Sequence, residues 1–105
     1  MPLKPLVFEV LLALVEAPRH GWSLVREVED RLGGEHLLPG NFYRTLRRMT
    51  ADGLIREARP IVSSADERRR YFELTPLGER TARAEAKRLE ALVGDARTRR
   101  LLRAR

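Results

Sequence analysis

The chain has 105 residues, 43 % hydrophobic and 34 % charged, which predicts a single small globular domain. It has no cysteine, so disulfides, thiolate zinc sites and cysteine nucleophiles are excluded. The formal net charge of +6 is carried mainly by arginine, whose planar guanidinium donates paired hydrogen bonds to phosphate.

The first predicted element is a helix from Pro5 to about Ala17. Its apolar residues recur at the spacing of one helical face, and they are Leu6, Val7, Val10, Leu11, Leu14 and Val15. This apolar run is shorter than the roughly 20 residues that cross a bilayer, and it lacks a small-residue cleavage site. We therefore expect a cytoplasmic protein with no membrane partner.

The second predicted helix runs from about Trp22 to Leu32. The segment "APRHGWS" before it is interpreted as a break between helices. Gly33 and Gly34 mark its end, because glycine accepts the left-handed conformation that closes a helix. The next segment, "EHLL", is interpreted as a connector or a short strand.

The third predicted helix begins at Pro39, where a missing N–H does no harm, and stops at Gly53. Its buried spine consists of Phe42, Leu46 and Met49. Beyond it, "LIREARPIV" and "RRRYFELT" predict two strands joined by the polar turn "SSADE". These strands form a hairpin with basic residues beside its turn.

The last predicted helix is long and runs from a Thr75 cap and Pro76 to about Leu102. It carries a narrow coiled-coil-like seam whose members are Ala82, Ala86, Leu89, Leu92, Val93 and Ala96. This apolar surface exceeds what a small domain needs. We therefore expect the seam to pair with the same helix of a second copy, as a homodimer.

The order of helix, helix, turn, helix, hairpin and long helix predicts a helix-turn-helix followed by a wing. In such a unit the third helix lies in the DNA major groove, and basic residues of the wing reach phosphate or the minor groove. The segments "HGWSLVREVEDRLGG", "LLPGNFYRTLRRMTADGLI" and "RRRYFELTPLGER" occur in an order and spacing that resembles the PadR family of winged-helix transcriptional regulators. The resemblance covers roughly Leu6 to Arg80, and the final helix resembles that of the shorter PadR subgroup.

This resemblance implies a homodimeric DNA-binding repressor, often relieved by a small aromatic effector near the dimer interface. The expected fold is mainly α (α+β), a winged helix-turn-helix with a two-stranded wing and a long C-terminal dimerisation helix. Residues 1–75 would form the DNA-binding domain, and residues 76–105 the dimerisation helix with its basic tail. The partners implied are double-stranded DNA with a pseudo-palindromic operator and a second copy of the chain.

Three positions depart from the family's pattern. Leu38 replaces the usual serine before Pro-Gly, so Asn41 is expected to cap a helix that starts one turn later. Arg44 stands where relatives often have proline, and Trp22 replaces the tyrosine of H-G-Y. The final helix has no aromatic residue, which argues against a planar-ligand stacking site between two such helices.

Candidate DNA contacts lie off the apolar spine of the third helix and on the wing. Arginine can bind guanine O6 and N7 as a pair, and asparagine can do the same for adenine. The candidate residues are Asn41, Tyr43, Arg44, Thr45, Arg47, Arg48, Arg68, Arg69 and Arg70. Arg44, Thr45 and Arg48 are assigned to base or base-adjacent contact, whereas Arg47 and the wing arginines are assigned to phosphate. The alternative is a solvated charged surface, and for Tyr43 a half-buried packing role.

Other functional classes have less in the sequence to support them. Trp22 could line an effector pocket or simply pack, and packing is favoured. His20 and His36 have no ligand-spaced partner, so neither a metal site nor a cofactor is expected. There is no glycine-rich phosphate loop or nucleophile–base pair, and the carboxylates are assigned to outward helix faces, so we expect no enzyme. Two rival functions stay open: a protein-interaction winged helix that binds an acidic partner, and a non-specific architectural DNA-binding protein.

Overall fold

The computed structural model describes residues 2–34, 36–58 and 70–103. Its elements in chain order are α1 (Pro5–Glu16), β1 (Arg19–His20), α2 (Gly21–Arg31), α3 (Pro39–Ala51), β2 (Ile55–Ala58), β3 (Tyr71–Leu74) and α4 (Pro76–Thr98). The strands form one antiparallel sheet in the order β1-β3-β2. The predicted α+β winged helix is confirmed. None of the helices described here is long and apolar enough to cross a membrane.

β1 is a strand where the sequence analysis predicted only a break. Arg19 and His20 pair antiparallel with β3, and the Gly21 N–H donates to the Arg70 carbonyl at 2.9 Å. A strand of two residues has no periodicity of its own, so only its pairing with β3 defines it. Among the described residues the sheet therefore has three strands: β2 and β3, which are the predicted two-stranded wing, and β1, which the sequence analysis did not predict.

The core lies between α1, α2, α3 and the sheet, and the first turns of α4 close one side of it. Its largest fully buried side chains are Phe42, Leu11, Leu24, Leu46, Met49, Ile55, Val10 and Val28. The spine predicted for α3 is thus confirmed. Burying each such side chain stabilises the fold by about 1.5–3 kcal/mol, which fixes the direction in which α3 presents its other residues.

The connection between α2 and α3 is held by main-chain bonds and by one carboxylate. Gly33 and Gly34 have φ angles of 79° and 85°, as expected for residues that close a helix. The Gly34 N–H donates to the Glu29 carbonyl at 2.9 Å, and the Glu29 carboxylate accepts the Leu37 N–H at 2.8 Å. The described part of the "EHLL" segment, residues 36–38, forms no strand.

α3 begins at Pro39 with Leu38 as its N-cap residue, and the Leu38 side chain makes no capping hydrogen bond. The prediction that Asn41 caps a later helix start is wrong, because Asn41 lies inside the first turn. Its Oδ1 instead accepts a hydrogen bond from Nη1 of Arg44 at 3.2 Å. Proline supplies this start by fixing its own backbone conformation, without a polar cap.

The start of α4 is joined to the turn that follows α3. The Thr75 hydroxyl accepts the Gly78 N–H at 3.0 Å and donates to the Gly53 carbonyl. A Cβ atom at Gly78 would collide with the Leu54 carbonyl oxygen. The close approach of helix and turn therefore requires glycine at this position.

α4 has 23 residues and ends at Thr98, about one turn before its predicted end. Arg100 lies in the left-handed region with a φ of 64°. The Leu101 N–H donates to the Ala96 carbonyl at 2.8 Å, and the Arg100 N–H donates to Arg97 at 3.0 Å. These two bonds form a Schellman motif, which usually has glycine where Arg100 stands.

The burial of α4 changes along its length. Ala82, predicted as part of the seam, is only 6 % exposed and belongs to the core of its own chain. The other predicted seam residues are exposed or half-buried, and they are Ala86, Leu89, Leu92, Val93 and Ala96. Glu85 is also buried, which corrects the prediction that the carboxylates face outward. A helical period identifies a shared face, and it does not distinguish burial in one chain from burial between chains.

Candidate nucleic-acid interface

The outer face of α3 is determined by its buried spine. Because Phe42, Leu46 and Met49 hold one side of the helix against the core, the intervening side chains lie toward solvent. Of the candidate residues on this helix, Asn41, Arg44, Arg47 and Arg48 are exposed, while Tyr43 and Thr45 are half-buried. The structure thus gathers the predicted arginines on one accessible surface.

The first turn of α3 carries an ordered polar pair. Arg44 donates to the Asn41 side chain, and the Thr45 hydroxyl donates to the Asn41 carbonyl at 3.0 Å. The pair orients a guanidinium and an amide side by side, and both groups can read base edges in a major groove. On binding a base, Arg44 would give up its exposed hydrogen bond to Asn41 and form a hydrogen bond to DNA instead.

The last turns of α3 hold Arg48 in an exposed ion pair. Its Nε lies 3.3 Å from Oδ2 of Asp52, four residues on. Exposed pairs of this kind stabilise a protein by about 0.2–1 kcal/mol, so a guanine or a phosphate can replace the aspartate at little cost. Arg48 is therefore available to an anionic partner although it is paired in the structure.

Tyr43 has an observed packing contact. Its ring meets the ring of Phe42 edge to face, with centroids 5.7 Å apart. Phe42 is fully buried, so Tyr43 is held at the margin of the core by an aromatic contact. A hydroxyl contact from Tyr43 to phosphate stays a prediction.

A cavity of about 120 Å³ separates α3 from the base of the wing. It is lined by Leu46, Arg47 and Thr50 of α3 and by Glu57, Arg70 and Phe72 of the sheet region. Arg70 is thereby brought beside α3, the helix that the sequence analysis assigned to DNA contact. The other two wing candidates, Arg68 and Arg69, lie outside the described residues.

Glu57 belongs to this surface, and the sequence analysis did not single it out. Its carboxylate Oε1 lies 3.6 Å from Nε of Arg70, an ion-pair distance that is too long for a hydrogen bond. The signal that could have found it is strand alternation, since Glu57 follows the buried Ile55 by two residues and faces the same side. A second pair, Arg56 and Glu73, meets at 2.6 Å on the other face of the sheet.

Trp22 lies at the surface and is 47 % exposed. The Arg26 guanidinium lies 5.9 Å from the centroid of its ring, a cation–π contact. Trp22 lines neither the small cavity nor a larger groove of about 380 Å³ between the end of α1, the sheet and the start of α4. The favoured packing role therefore amounts to a surface contact with Arg26.

The two histidines are placed by ordinary contacts. His20 meets Tyr71 edge to face with centroids 4.3 Å apart, and Nδ1 of His36 lies 3.5 Å from the Glu29 carboxylate. Within residues 2–34, 36–58 and 70–103, no group of three or more histidine or acidic side chains could hold a metal ion.

Glu85 lies on α4 where its buried part ends. The guanidinium of Arg88 donates to both carboxylate oxygens, with Nε to Oε1 at 2.8 Å and Nη2 to Oε2 at 2.6 Å. These hydrogen bonds hold the pKa of Glu85 below its ordinary value, and the Leu3 main chain lowers it further. The hydrogen bond between the Leu3 main chain and Glu85 joins the N-terminal segment to the last core-facing turn of α4.

The sequence matches the model of the transcriptional regulator PadR-like family over residues 10–84. The chain belongs to the PadR-like family. Transcriptional regulators of this family bind DNA and are not enzymes, so the predicted DNA-binding regulator is confirmed at this level. The curated proteins that were compared with this sequence gave no match.

Solved structures of PadR regulators share the fold. One from hypervirulent Clostridium difficile R20291 is 22 % identical, with 94 % of this chain and 100 % of that chain covered and a TM-score of 0.73. A PadR-like regulator from Bacillus cereus strain ATCC 14579 is 21 % identical, with coverages of 95 % and 93 % and a TM-score of 0.73. Bacillus subtilis PadR, solved in complex with operator DNA, is 19 % identical, with coverages of 79 % and 47 % and a TM-score of 0.64.

Proposed function

We propose that this PadR-like protein is a homodimeric repressor that binds a pseudo-palindromic operator through α3 and the wing. The observation that carries the proposal is the exposed face of α3 that presents Asn41, Arg44, Arg47 and Arg48, with Arg70 beside the same small cavity as Arg47. Its arginines have the donors that guanine and phosphate need. The Bacillus subtilis relative was solved with operator DNA, which supports the same class of partner here.

The proposed dimer forms through the exposed part of α4. Leu92 is 51 % exposed and Val93 is 38 % exposed, with Leu89 and Ala96 on the same stripe. Large apolar side chains in a row cost free energy in water, and a second copy of the stripe would bury them. Ala82 is omitted from this interface because its own chain already covers it. The proposed division keeps residues 1–75 as the DNA-binding domain and residues 76–105 as the dimerisation helix, whose first turns also pack in the core of the domain.

In this dimer, a two-fold axis would relate the two copies of α3. Their target would be an inverted repeat with half-sites about one helical turn, roughly 34 Å, apart. Arg44, Thr45 and Arg48 are proposed to read bases. Arg47 and the wing arginines Arg68–Arg70 are proposed to bind phosphate.

The test is a selection of bound duplexes from random sequence at physiological salt. A repressor of this kind should enrich one inverted repeat, and a promoter that carries this repeat should be less active when the protein is present. Binding without enrichment would favour the architectural role. Binding to an acidic protein in preference to any duplex would favour the interaction module.

Point variants separate base reading from phosphate contact. Arg44→Ala should lose about 1–3 kcal/mol of binding free energy at particular base positions and relax the preference there. Arg47→Ala should weaken all duplexes alike and flatten the salt dependence by about one unit of slope. Arg83→Ala is the control, because Arg83 lies on α4 and pairs with Glu79 at 3.1 Å. Uniform weakening by Arg44→Ala would contradict its proposed base contact.

Two features of the described residues bear on the small aromatic effector that the family resemblance implies. Trp22 is about half exposed with Arg26 over its ring, and the groove at the end of α1 has a volume of about 380 Å³. We propose Trp22 as the contact, and because it is the chain's one tryptophan, its fluorescence reports directly on a bound aromatic compound. A compound that releases DNA without changing this fluorescence would move the site to the groove.

A further inference from the structure

Glu57 is an acidic side chain inside the arginine surface that is proposed to meet DNA. It lies on β2 facing α3, and it lines the small cavity together with Arg47 and Arg70. A carboxylate repels phosphate, so its presence here opposes the attraction that the surrounding arginines supply. Glu57 therefore affects how strongly this surface attracts DNA, in addition to any effect on folding.

The contact between Glu57 and Arg70 is electrostatic without being a hydrogen bond. The Arg70 Nε is shielded from solvent, yet it makes no hydrogen bond within the part of the chain that the structure describes. Its distance of 3.6 Å from the Glu57 carboxylate leaves this donor unsatisfied. Once the Arg70 side chain moves away from Glu57, a phosphate oxygen could supply the missing hydrogen bond, because no hydrogen bond holds Arg70 to the Glu57 carboxylate.

A second Arg–Glu pair of the sheet, in contrast, is joined by a hydrogen bond. Arg56 and Glu73 are directly opposite each other on β2 and β3, and Nε to Oε2 is 2.6 Å. This is a charge-assisted hydrogen bond, and it lies on the face that points away from α3. The two pairs have the same chemistry, and they differ in the face of the sheet and in whether a hydrogen bond forms.

We propose that Glu57 competes with DNA phosphate for Arg70. It is paired with Arg70 in the free protein and thereby limits the affinity for any DNA duplex. DNA must displace it from Arg70, and the displaced carboxylate then stays close to the phosphate backbone. Phosphate contacts supply nearly all non-specific binding, so this residue restrains the retention of the regulator on arbitrary DNA. The inference rests on the proposed use of α3 and the wing to bind DNA.

The test compares Glu57→Gln with Glu73→Gln in the full-length chain. Both remove one negative charge and keep the side-chain shape, so the second variant controls for net charge. Binding is measured by fluorescence anisotropy on one random duplex and on the selected inverted repeat, at several salt concentrations. Both glutamates are at least partly exposed, and thermal melts confirm that each variant folds.

Glu57→Gln should tighten binding to both duplexes by roughly 2–5-fold for each copy in contact, the range expected from an exposed charge pair. Its salt dependence should steepen by about one unit of slope per copy. Glu73→Gln should change either quantity by less than half as much. In an Arg70→Ala background, Glu57→Gln should give much less gain, because the competed guanidinium is gone.

Equal gains from Glu57→Gln and Glu73→Gln would overturn the proposal, because net charge alone would then explain them. Unchanged or weaker binding by Glu57→Gln would also overturn it and would leave Glu57 as a support for Arg70. In both cases the wild-type chain still binds DNA, so the proposed function survives. A wild-type chain that binds no duplex would instead overturn both.

Discussion

The two parts of α4 differ in what surrounds them, although one apolar period runs through both. Up to Glu85 the helix belongs to the domain, since Gly78 packs on a main-chain carbonyl and Ala82 lies in the core. Beyond Glu85 the same stripe exposes Leu92 and Val93. The first part is closely packed at Gly78, while the second part exposes apolar side chains that the proposed second copy would bury. Folding and association can therefore be perturbed separately within one helix.

The largest expected effect is on folding. Gly78→Ala should lower the free energy of unfolding by about 2–4 kcal/mol, because the new Cβ would force the helix away from the Leu54 carbonyl. Urea denaturation measures it. The matched control is Gly94→Ala on the exposed part of α4, where a Cβ meets nothing within 4 Å. That change should stabilise the helix by about 0.5–1 kcal/mol. If both variants instead lost a similar amount of unfolding free energy, the two parts of α4 would not differ in packing.

The next effect is on association alone. Leu92→Gln should raise the dissociation constant of the proposed dimer at least tenfold, since each buried leucine contributes about 1.5–3 kcal/mol and the dimer would lose two copies. Sedimentation equilibrium measures the constant, and circular dichroism should show an unchanged helical content. Glu90→Gln is the control because Glu90 is exposed and lies off the seam. A dimer unaffected by Leu92→Gln would place the interface elsewhere.

The smallest effect concerns Glu85, where the two parts of α4 meet. Its folded-state pKa is lowered by the Arg88 hydrogen bonds, so ionised Glu85 stabilises the folded state above the unfolded pKa of about 4.5. This contribution is lost as the pH falls through the lower, folded pKa. Glu85→Gln should therefore cost stability at pH 7 and make the loss of stability in acid less steep. Urea titrations from pH 7 to pH 3 measure the free energy of unfolding, with Glu90→Gln as control. If the stability of Glu85→Gln fell with decreasing pH as steeply as that of the wild type, the prediction would be contradicted.

The sequence predicted the helices well because each has local signals. Gly33 and Gly34 close α2, Pro39 opens α3, and Thr75 caps α4, as their dihedral angles and hydrogen bonds confirm. The buried spine of α3 followed from its period. These features depend on neighbouring residues along the chain, so sequence reasoning reaches them.

The features that were missed depend on residues far apart in the sequence. β1 is a strand only because it pairs with the edge of β3. Glu57 belongs to the candidate interface only because it lies beside Arg70, which is distant from it in the sequence. α4 ends at Thr98, and the left-handed residue that follows this end is Arg100, where a sequence signal would have been glycine. Ala82 continues the seam in sequence but faces the core in space. Periodicity assigns a face to a helix, and only the tertiary structure says what covers that face.

The length of α4 has a consequence for the DNA that the proposed dimer can use. Its 23 residues span about 34 Å at a rise of 1.5 Å per residue, so the helix extends well past the domain that anchors it. Sliding one paired helix along the other by one heptad would change the offset between the two domains by roughly 10 Å, the rise of about three base pairs. The register in which the two seams pair would then set the distance between the two DNA-binding surfaces. A change in α4, far from any base, would alter which operator spacing the protein accepts.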